Sequence, residues 1–275
     1  MKPLLPQLAI EYLLRLDILS TERIEGGYAN KVWLVRTRNG DFIVKDYATR
    51  SALQTEARAL GLLDELDLPR PEFYIRGGTF LVFRRQGSIA AIVDKSLAEA
   101  AGRWLALLHG TTRDRNDHAL RLADSLVFRV EQRAAKSAGY RATQVCLTHG
   151  DLAPSNIVVG SDRKFLHPID FEELAPGDPL VDLSIATMEF LSEPADDPIG
   201  NARALTGSYW QSIRESVLAA HWIVHAETLV SAALEEAARW ARIARNHELV
   251  QRYEAARLRL PSLLAGIGSV KSAAR

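Results

Sequence analysis

Polar side chains of the types that handle phosphates and metal ions are concentrated between residues 148 and 156. This segment reads Thr-His-Gly-Asp-Leu-Ala-Pro-Ser-Asn, and a β-rich Ile-Val-Val run follows it. A turn and a second strand-like run then lead to Asp170. Because paired antiparallel strands bring the start of one strand beside the end of the next, we expect Asn156 and Asp170 to be neighbours. Asp151, on the same loop as Asn156, adds a third oxygen-bearing side chain.

These three residue types together favour a magnesium and phosphate site. Mg²⁺ prefers oxygen ligands and is usually held by one or two carboxylates together with substrate phosphates. The sequence therefore predicts that Asn156 and Asp170 hold a phosphate-bound Mg²⁺, which leaves Asp151 for an incoming hydroxyl. Each residue taken alone would be an ordinary turn or cap residue. Their order and their strand context favour the site.

The same residues resemble the catalytic and metal-binding loops of the aminoglycoside phosphotransferase and choline kinase family, small-molecule relatives of the protein kinases. The kinase patterns H-R-D-x-x-x-x-N and D-F-G occur here with Gly150 for the Arg and Glu172 for the Gly. The resemblance implies that Asp151 accepts the proton of the substrate hydroxyl. It groups His149 with Asp151 in the catalytic loop, as a scaffold that holds the loop by hydrogen bonds.

A glycine pair near the N-terminus is a candidate phosphate cradle. Gly26, Gly27 and Asn30 stand just ahead of a strand pattern, and glycine lets backbone N–H groups approach a phosphate closely. A simple hairpin turn would explain the Gly pair equally well. In the kinase-like interpretation, the three residues bind the nucleotide.

Lys45 ends an Ile-Val-Lys run that follows an Asn-Gly turn. It resembles the kinase lysine that contacts the α- and β-phosphates, which a glutamate on the following helix holds. Glu56 and Glu65 are the candidates for that glutamate. We favour Glu56, because it lies in the first turns of the predicted helix, whereas Glu65 lies at the helix end.

Two further segments extend the resemblance. The strand-like run that ends at Arg85 is similar to the strand leading between kinase lobes, so the nucleotide base is expected to bond backbone groups near Phe83 and Arg85, with ATP and GTP both open. After the metal loop, a carboxylate matching Asp182 is expected to brace the catalytic loop. Asp178 is a candidate N-cap of the helix that begins with a proline.

Periodicity predicts a β-rich first part and a helical second part. Two apolar runs around the turn 38–41 predict a β-hairpin, and the stretch 51–66 predicts a helix with Ser51 as a possible cap. A second strand pair follows. Later segments are mainly helical, apart from the irregular, polar stretch 147–182.

Periodicity therefore predicts the α+β fold class, with a small β-rich lobe and a larger helical lobe, and the resemblance implies that this is a protein-kinase-like two-lobe fold. Residues 1–86 would form a nucleotide-binding lobe with a five-stranded sheet and one helix. Residues 87–275 would form a larger, mainly helical lobe with the catalytic loop and the acceptor-binding region. Between Asp170 and Asp182 there is no long activation segment and no Ala-Pro-Glu, which argues against a peptide substrate.

Composition limits the class of partner. The 275 residues carry 34 Lys and Arg against 34 Asp and Glu, so no global field favours nucleic acid or an anionic membrane. A single cysteine excludes an intrachain disulfide and fits a reducing compartment. We therefore expect a cytoplasmic protein, and the resemblance implies an enzyme that acts on a small hydroxylated molecule.

The acceptor is the open question. An aminoglycoside-like antibiotic is the first expectation, which would mean a role in antibiotic resistance; choline, ethanolamine, a sugar or another metabolite is the alternative. Four acids could line a pocket for a polycation: Glu172, Glu173, Asp196 and Asp197. Three tryptophans at helical spacing suit either a choline cage through cation–π contacts or, more simply, the core: Trp210, Trp222 and Trp240.

Two other classes of function remain at this stage. A metallohydrolase could use His149, Asp151, His167 and Asp170 as ligands, but it would leave Lys45 and the glycine loop without a role. A kinase-like binding module without catalysis is the second, and the complete set of catalytic residues argues against it.

Overall fold

A computed structural model describes residues 13–24, 30–76, 78–114, 125–142 and 144–267. Its first part is a five-stranded antiparallel sheet in the order β1-β2-β3-β5-β4. The strands are β1 (Ile18–Ile24), β2 (Lys31–Thr37), β3 (Gly40–Asp46), β4 (Phe73–Arg76) and β5 (Phe80–Arg84), and helix α1 (Arg50–Glu65) joins β3 to β4. The predicted hairpin, helix and strand pair are all present, whereas β1 was not identified from its mostly exposed residues.

Alternation along the strands gives the sheet two apolar faces. One face is a separate small core that includes Trp33, Val35, Val44 and Val82. Leu81 and its neighbours on the opposite face join the main core together with α1. The N-cap of α1 is Thr49, whose hydroxyl accepts from the Ala52 N–H at 3.2 Å, so the prediction of Ser51 as the cap was wrong. Ser51 already lies inside the helix, where its side chain cannot cap the first turn.

The second part consists mainly of helices. They are α2 (Lys95–Thr111), α3 (Leu126–Ala138), α4 (Pro179–Ser192), α5 (Pro198–Ile213), α6 (Ser216–Ile243) and α7 (His247–Ile267). Every residue of α4 is buried. As predicted, Asp178 caps this helix, accepting from the Leu180 N–H at 2.7 Å, and Pro179 begins it.

Short strands position the polar loops. β8 (Ile157–Val159) pairs with β9 (Phe165–Pro168) and with β6 (Ser88–Ile89), and β7 (Cys146–Thr148) pairs with β10 (Ala175–Gly177). The β8–β9 pair was predicted; the two-residue and three-residue strands β6, β7 and β10 were not.

Helix α6 is the one helix in the described ranges that is long and apolar enough to cross a membrane by length and composition. It packs against α3, α4 and α7, and 44% of its most apolar window is buried. The core helix of a soluble protein gives the same pattern.

Candidate active site

The β8–β9 pair brings the predicted metal ligands together. Ile157 pairs with Pro168, and the Ile169 N–H donates to the Asn156 carbonyl at 2.8 Å, so Asn156 and Asp170 are neighbours. The Asn156 side-chain amide donates to both the backbone and the carboxylate of Asp151, each at 2.9 Å. The three residues therefore meet in one small volume, as the sequence predicted.

Asp182 forms hydrogen bonds to the backbone of the loop that presents Asp151. Its carboxylate accepts from the N–H groups of His149 at 2.7 Å and Gly150 at 2.9 Å, and from His109 Nε2 at 3.0 Å. Burial works against its charge, but these hydrogen bonds and the two histidines outweigh it and lower the pKa of Asp182. His109 lies in the last turn of α2, and sequence reasoning had not given it this role.

Gly150 stands where protein kinases have an arginine, and its backbone explains the difference. Its φ is +81°, a conformation that glycine adopts without strain. A Cβ at this position would lie 2.9 Å from Glu173 Cβ. The turn that presents Asp151 therefore requires a residue without a side chain.

His149 supports the loop and does not face the crevice. Its side chain is fully buried, with Nε2 3.2 Å from the Ile169 carbonyl and Nδ1 accepting from the Asp151 N–H at 3.2 Å. Its ring packs against Trp104 and Phe171. Burial lowers its pKa, which favours the neutral ring. These contacts correspond to the scaffold role and leave neither ring nitrogen free for proton transfer from a substrate.

Lys45 crosses from the sheet to the metal loop. Its Nζ lies 2.8 Å from Glu56 Oε2, 2.8 Å from Asp170 Oδ1 and 2.6 Å from Glu172 Oε1. The predicted contact with Glu56 is therefore present; Glu56 is on the buried face of α1. Tyr47, which the sequence analysis missed, donates to the same Glu56 oxygen at 2.6 Å.

The charges of this cluster depend on one another. Burial opposes the charge of Lys45, but the three carboxylates raise its pKa. Burial likewise opposes the charge of Asp170, yet Lys45 lowers its pKa. Burial and the neighbouring acids raise the pKa of Glu172 to about 7, against the effect of Lys45. Glu172 thus takes up a proton more readily than Asp170 does.

Of the predicted phosphate cradle, Gly26 and Gly27 lie outside the described residues. The side-chain oxygen of Asn30 accepts from the Ala48 N–H at 3.1 Å, and its amide donates to Glu172. Asn30 therefore connects the sheet to the metal loop in this structure.

Near the predicted base site, some backbone N–H groups at the end of β5 already have hydrogen-bond partners. The Arg84 N–H donates to Glu72 and the Arg85 N–H to the Asp41 carbonyl at 2.9 Å, while Phe83 packs in the main core. The Arg85 side chain contacts the Gly87 carbonyl at 3.0 Å. The Arg85 N–H therefore already has a partner, and the prediction of a base contact at Phe83 and Arg85 is restricted to the other backbone groups.

Asp151 is half-buried, and other acids surround it. Burial, followed by the negative charges of Glu189, Asp170 and Glu173, raises its pKa, and the Asn156 hydrogen bond opposes this. Glu189 was missed by the sequence analysis, which considered other acids for the acceptor pocket. Its position seven residues after Asp182 on a helix was the available signal, since such residues share a face.

The other candidate residues do not meet. His167 Nε2 contacts Gln86 at 2.9 Å, and among the described residues the four ligands of the metallohydrolase hypothesis do not form a group close enough to share an ion.

The acids and tryptophans proposed for the acceptor are dispersed as well. Asp197 caps α5 and Glu173 accepts from the first N–H of α3. Trp210 and Trp222 pack in the main core, whereas Trp240 is 43% exposed. Core packing explains the first two tryptophans.

The donor set at the loop fits a hard divalent cation. The nitrogen of the Asn156 amide is committed to Asp151, so its oxygen remains as a ligand beside the Asp170 carboxylate. Within the described part of the chain, one group of three acids is close enough to share an ion: Glu56, Asp170 and Glu172. Lys45 contacts all three, which makes that group an ammonium site in this structure.

Comparison with known proteins agrees with this architecture. The model of the phosphotransferase enzyme family matches residues 20–215. Choline kinase LicA from Streptococcus pneumoniae is 20% identical, with 94% of this chain and 98% of that chain covered and a TM-score of 0.61. Macrolide 2'-phosphotransferase MphH from Brachybacterium faecium is 19% identical, with 91% and 98% covered and a TM-score of 0.57.

An ADP-bound aminoglycoside phosphotransferase, APH(2'')-Ib, is 15% identical, with 92% of this chain and 98% of that chain covered and a TM-score of 0.59. At these identities the likeness shows the shared kinase-like fold. None of the curated proteins compared with this chain matches it.

Proposed function

Because this chain belongs to the phosphotransferase enzyme family, and is thus a small-molecule kinase, we propose that it transfers the γ-phosphate of ATP or GTP to a hydroxyl of a small molecule. One contact supports this most directly: Lys45 on the sheet lies 2.8 Å from Asp170 on the metal loop. That contact spans the crevice in which a triphosphate would lie.

Each residue has one role in the proposed reaction. Lys45, held by Glu56, neutralises charge on the α- and β-phosphates. Asn156 and Asp170 would hold Mg²⁺, which would supply positive charge to offset that of the phosphates. Asp151 orients the acceptor hydroxyl and takes its proton. Catalysis is then mainly positioning and charge stabilisation.

Asp182 and His149 keep the loop in place for this reaction, and Gly26, Gly27 and Asn30 contribute to phosphate binding. The nucleotide-binding lobe extends to about residue 86, and the base binds at remaining backbone groups near Phe83 to Arg85.

For the acceptor we keep an aminoglycoside-like antibiotic first, then choline, ethanolamine, a sugar or another metabolite. The named relatives include an aminoglycoside phosphotransferase, a macrolide phosphotransferase and a choline kinase. We place the enzyme in the cytoplasm, where ATP and Mg²⁺ are available.

The test is incubation with Mg²⁺-ATP and a panel of aminoglycosides, choline, ethanolamine and sugars, with mass spectrometry to detect an added phosphate. Asp151→Asn should lower turnover by at least about 100-fold, with nucleotide affinity nearly unchanged. Asp162→Asn, in an exposed turn, is the matched control and should keep full activity. Full transferase activity in Asp151→Asn would contradict the proposed role.

A further inference from the structure

A buried tyrosine lies beside the nucleotide-binding lysine, and the proposed reaction gives it no role. Tyr47 follows Lys45 by two residues at the end of β3, where its N–H donates to the Thr79 carbonyl at 2.7 Å. Its side chain is 4% exposed and packs in the main core together with α1. The backbone and the ring are therefore both held, so the hydroxyl has a defined position.

The Tyr47 hydroxyl and the Lys45 ammonium share one oxygen of Glu56. The hydroxyl donates to Glu56 Oε2 at 2.6 Å, and Lys45 Nζ donates to the same oxygen at 2.8 Å. The other oxygen, Oε1, accepts from the Phe171 N–H at 3.5 Å, which is a weak contact at this length. A carboxylate turns easily about its last bond. The tyrosine hydroxyl therefore keeps Oε2 directed toward the lysine.

Glu56 competes with the metal loop for the same ammonium group. Lys45 Nζ also lies 2.8 Å from Asp170 Oδ1 and 2.6 Å from Glu172 Oε1. These two carboxylates attract the ammonium toward the metal loop, whereas Glu56 attracts it toward α1. The Tyr47 ring acts on the side of Glu56, because its centroid lies 5.1 Å from Nζ, within the range of a cation–π contact. The balance between the two sides decides where the lysine amine stands in the crevice.

We propose that Tyr47 is a positioning residue of the phosphotransferase, whose hydroxyl acts through Glu56 to hold the Lys45 amine where it meets the α- and β-phosphates of the nucleotide. This inference rests on the proposed function. Without the hydroxyl, the Glu56 carboxylate can turn, and the ammonium shifts toward the acids of the metal loop. The affinity for nucleotide then falls, whereas the transfer step changes less.

The test is calorimetric titration of the full chain with Mg²⁺-ADP, which needs no acceptor. Tyr47→Phe removes the hydroxyl and keeps the ring, and it should raise the Kd for Mg²⁺-ADP at least about fivefold. Tyr140→Phe is the matched control, because the buried Tyr140 hydroxyl also donates to a carboxylate, that of Asp178, at 2.9 Å. This control should keep the wild-type Kd.

A double-mutant cycle tests whether the hydroxyl acts through Glu56. Glu56→Gln removes the charge that the hydroxyl directs toward Lys45. In that background, Tyr47→Phe should therefore not weaken Mg²⁺-ADP binding further. A purely structural effect of the hydroxyl would lower the affinity by the same factor in both backgrounds. Thermal unfolding checks that each variant is folded.

Wild-type affinity in Tyr47→Phe, an equal loss in Tyr140→Phe, or the same loss in both backgrounds of the cycle would overturn the inference and leave the proposed function intact. Absence of Mg²⁺-ADP binding by the folded wild-type protein would instead overturn the proposed function, together with the inference that rests on it.

Discussion

Replacing Glu189 by glutamine should make the protein more stable at alkaline pH. Burial raises the pKa of Glu189 to about 7 from its ordinary value of 4.5, against the opposing effects of Arg252 and Tyr253. The folded state therefore binds this proton more tightly than the unfolded state. The stabilisation that this bound proton gives to the folded state is therefore complete below about pH 4.5, falls as the pH rises, and is lost above about pH 7.

The size of the effect follows from the same values. One pKa unit corresponds to about 1.4 kcal/mol, so wild-type protein should lose about 2.5 kcal/mol from this group between about pH 5 and about pH 8. Glutamine has no proton to lose and keeps the Tyr253 hydrogen bond. Near pH 5 the two proteins should be similar in stability, and near pH 8 the variant should be more stable by about that amount.

Urea unfolding followed by circular dichroism at both pH values measures this difference, with the m-value as a check that the unfolding transition is unchanged. Glu254→Gln serves as the control, because the exposed Glu254 carboxylate pairs with Arg242 and does not act on Glu189; it should keep the pH dependence of the wild type. A stability difference between wild type and Glu189→Gln that is the same at both pH values would refute the reasoning.

Three other changes should have measurable effects. Lys45→Met leaves three facing carboxylates without a cation, so the free energy of unfolding should fall by about 3 kcal/mol at neutral pH and recover as the pH falls. Nucleotide affinity measured by calorimetry should also drop. Unchanged stability at neutral pH would contradict the ion cluster. Gly150→Ala forces a side chain into a positive-φ position against Glu173. It should lower the free energy of unfolding in urea by about 1 to 3 kcal/mol, and it should lower kcat more than it changes nucleotide affinity. A wild-type kcat would contradict the turn geometry. Gly102→Ala places a methyl group against the Leu205 carbonyl where α2 crosses α5. It should lower the melting temperature by several degrees without changing KM for the nucleotide. An unchanged melting temperature would show that the two helices can move apart at this point.

Local spacing was sufficient to predict which polar residues of the loop lie together. The two strands after residue 156 are short and joined by a turn, so their register alone brings Asn156 next to Asp170. Lys45 and Glu56 also follow from spacing, because a strand end and the first turns of the next helix face each other across a short connection. In both cases the partners lie close in sequence or on directly paired elements.

Contacts between distant helices could not be predicted in the same way. Glu189 meets Tyr253 across 64 positions, and Asn30 reaches Glu172 from another lobe. These pairs depend on how elements that are distant in sequence pack together, which no local pattern specifies. The cap at Thr49 was missed for a simpler reason, since Thr49 and Ser51 are both good caps and the structure places the helix start one residue after the first.

The connection between the two parts of the chain restricts how the crevice can open. The Gln86 side chain is hydrogen-bonded to His167 on β9. Gly87 packs so closely against β8 that a Cβ at this position would overlap the Val159 carbonyl. The linking segment is therefore fastened to the strand pair that carries Asn156 and Asp170. If the crevice opens, the chain must therefore bend ahead of Gln86, so that Asn156 and Asp170 stay with the helical part while Lys45 moves with the sheet.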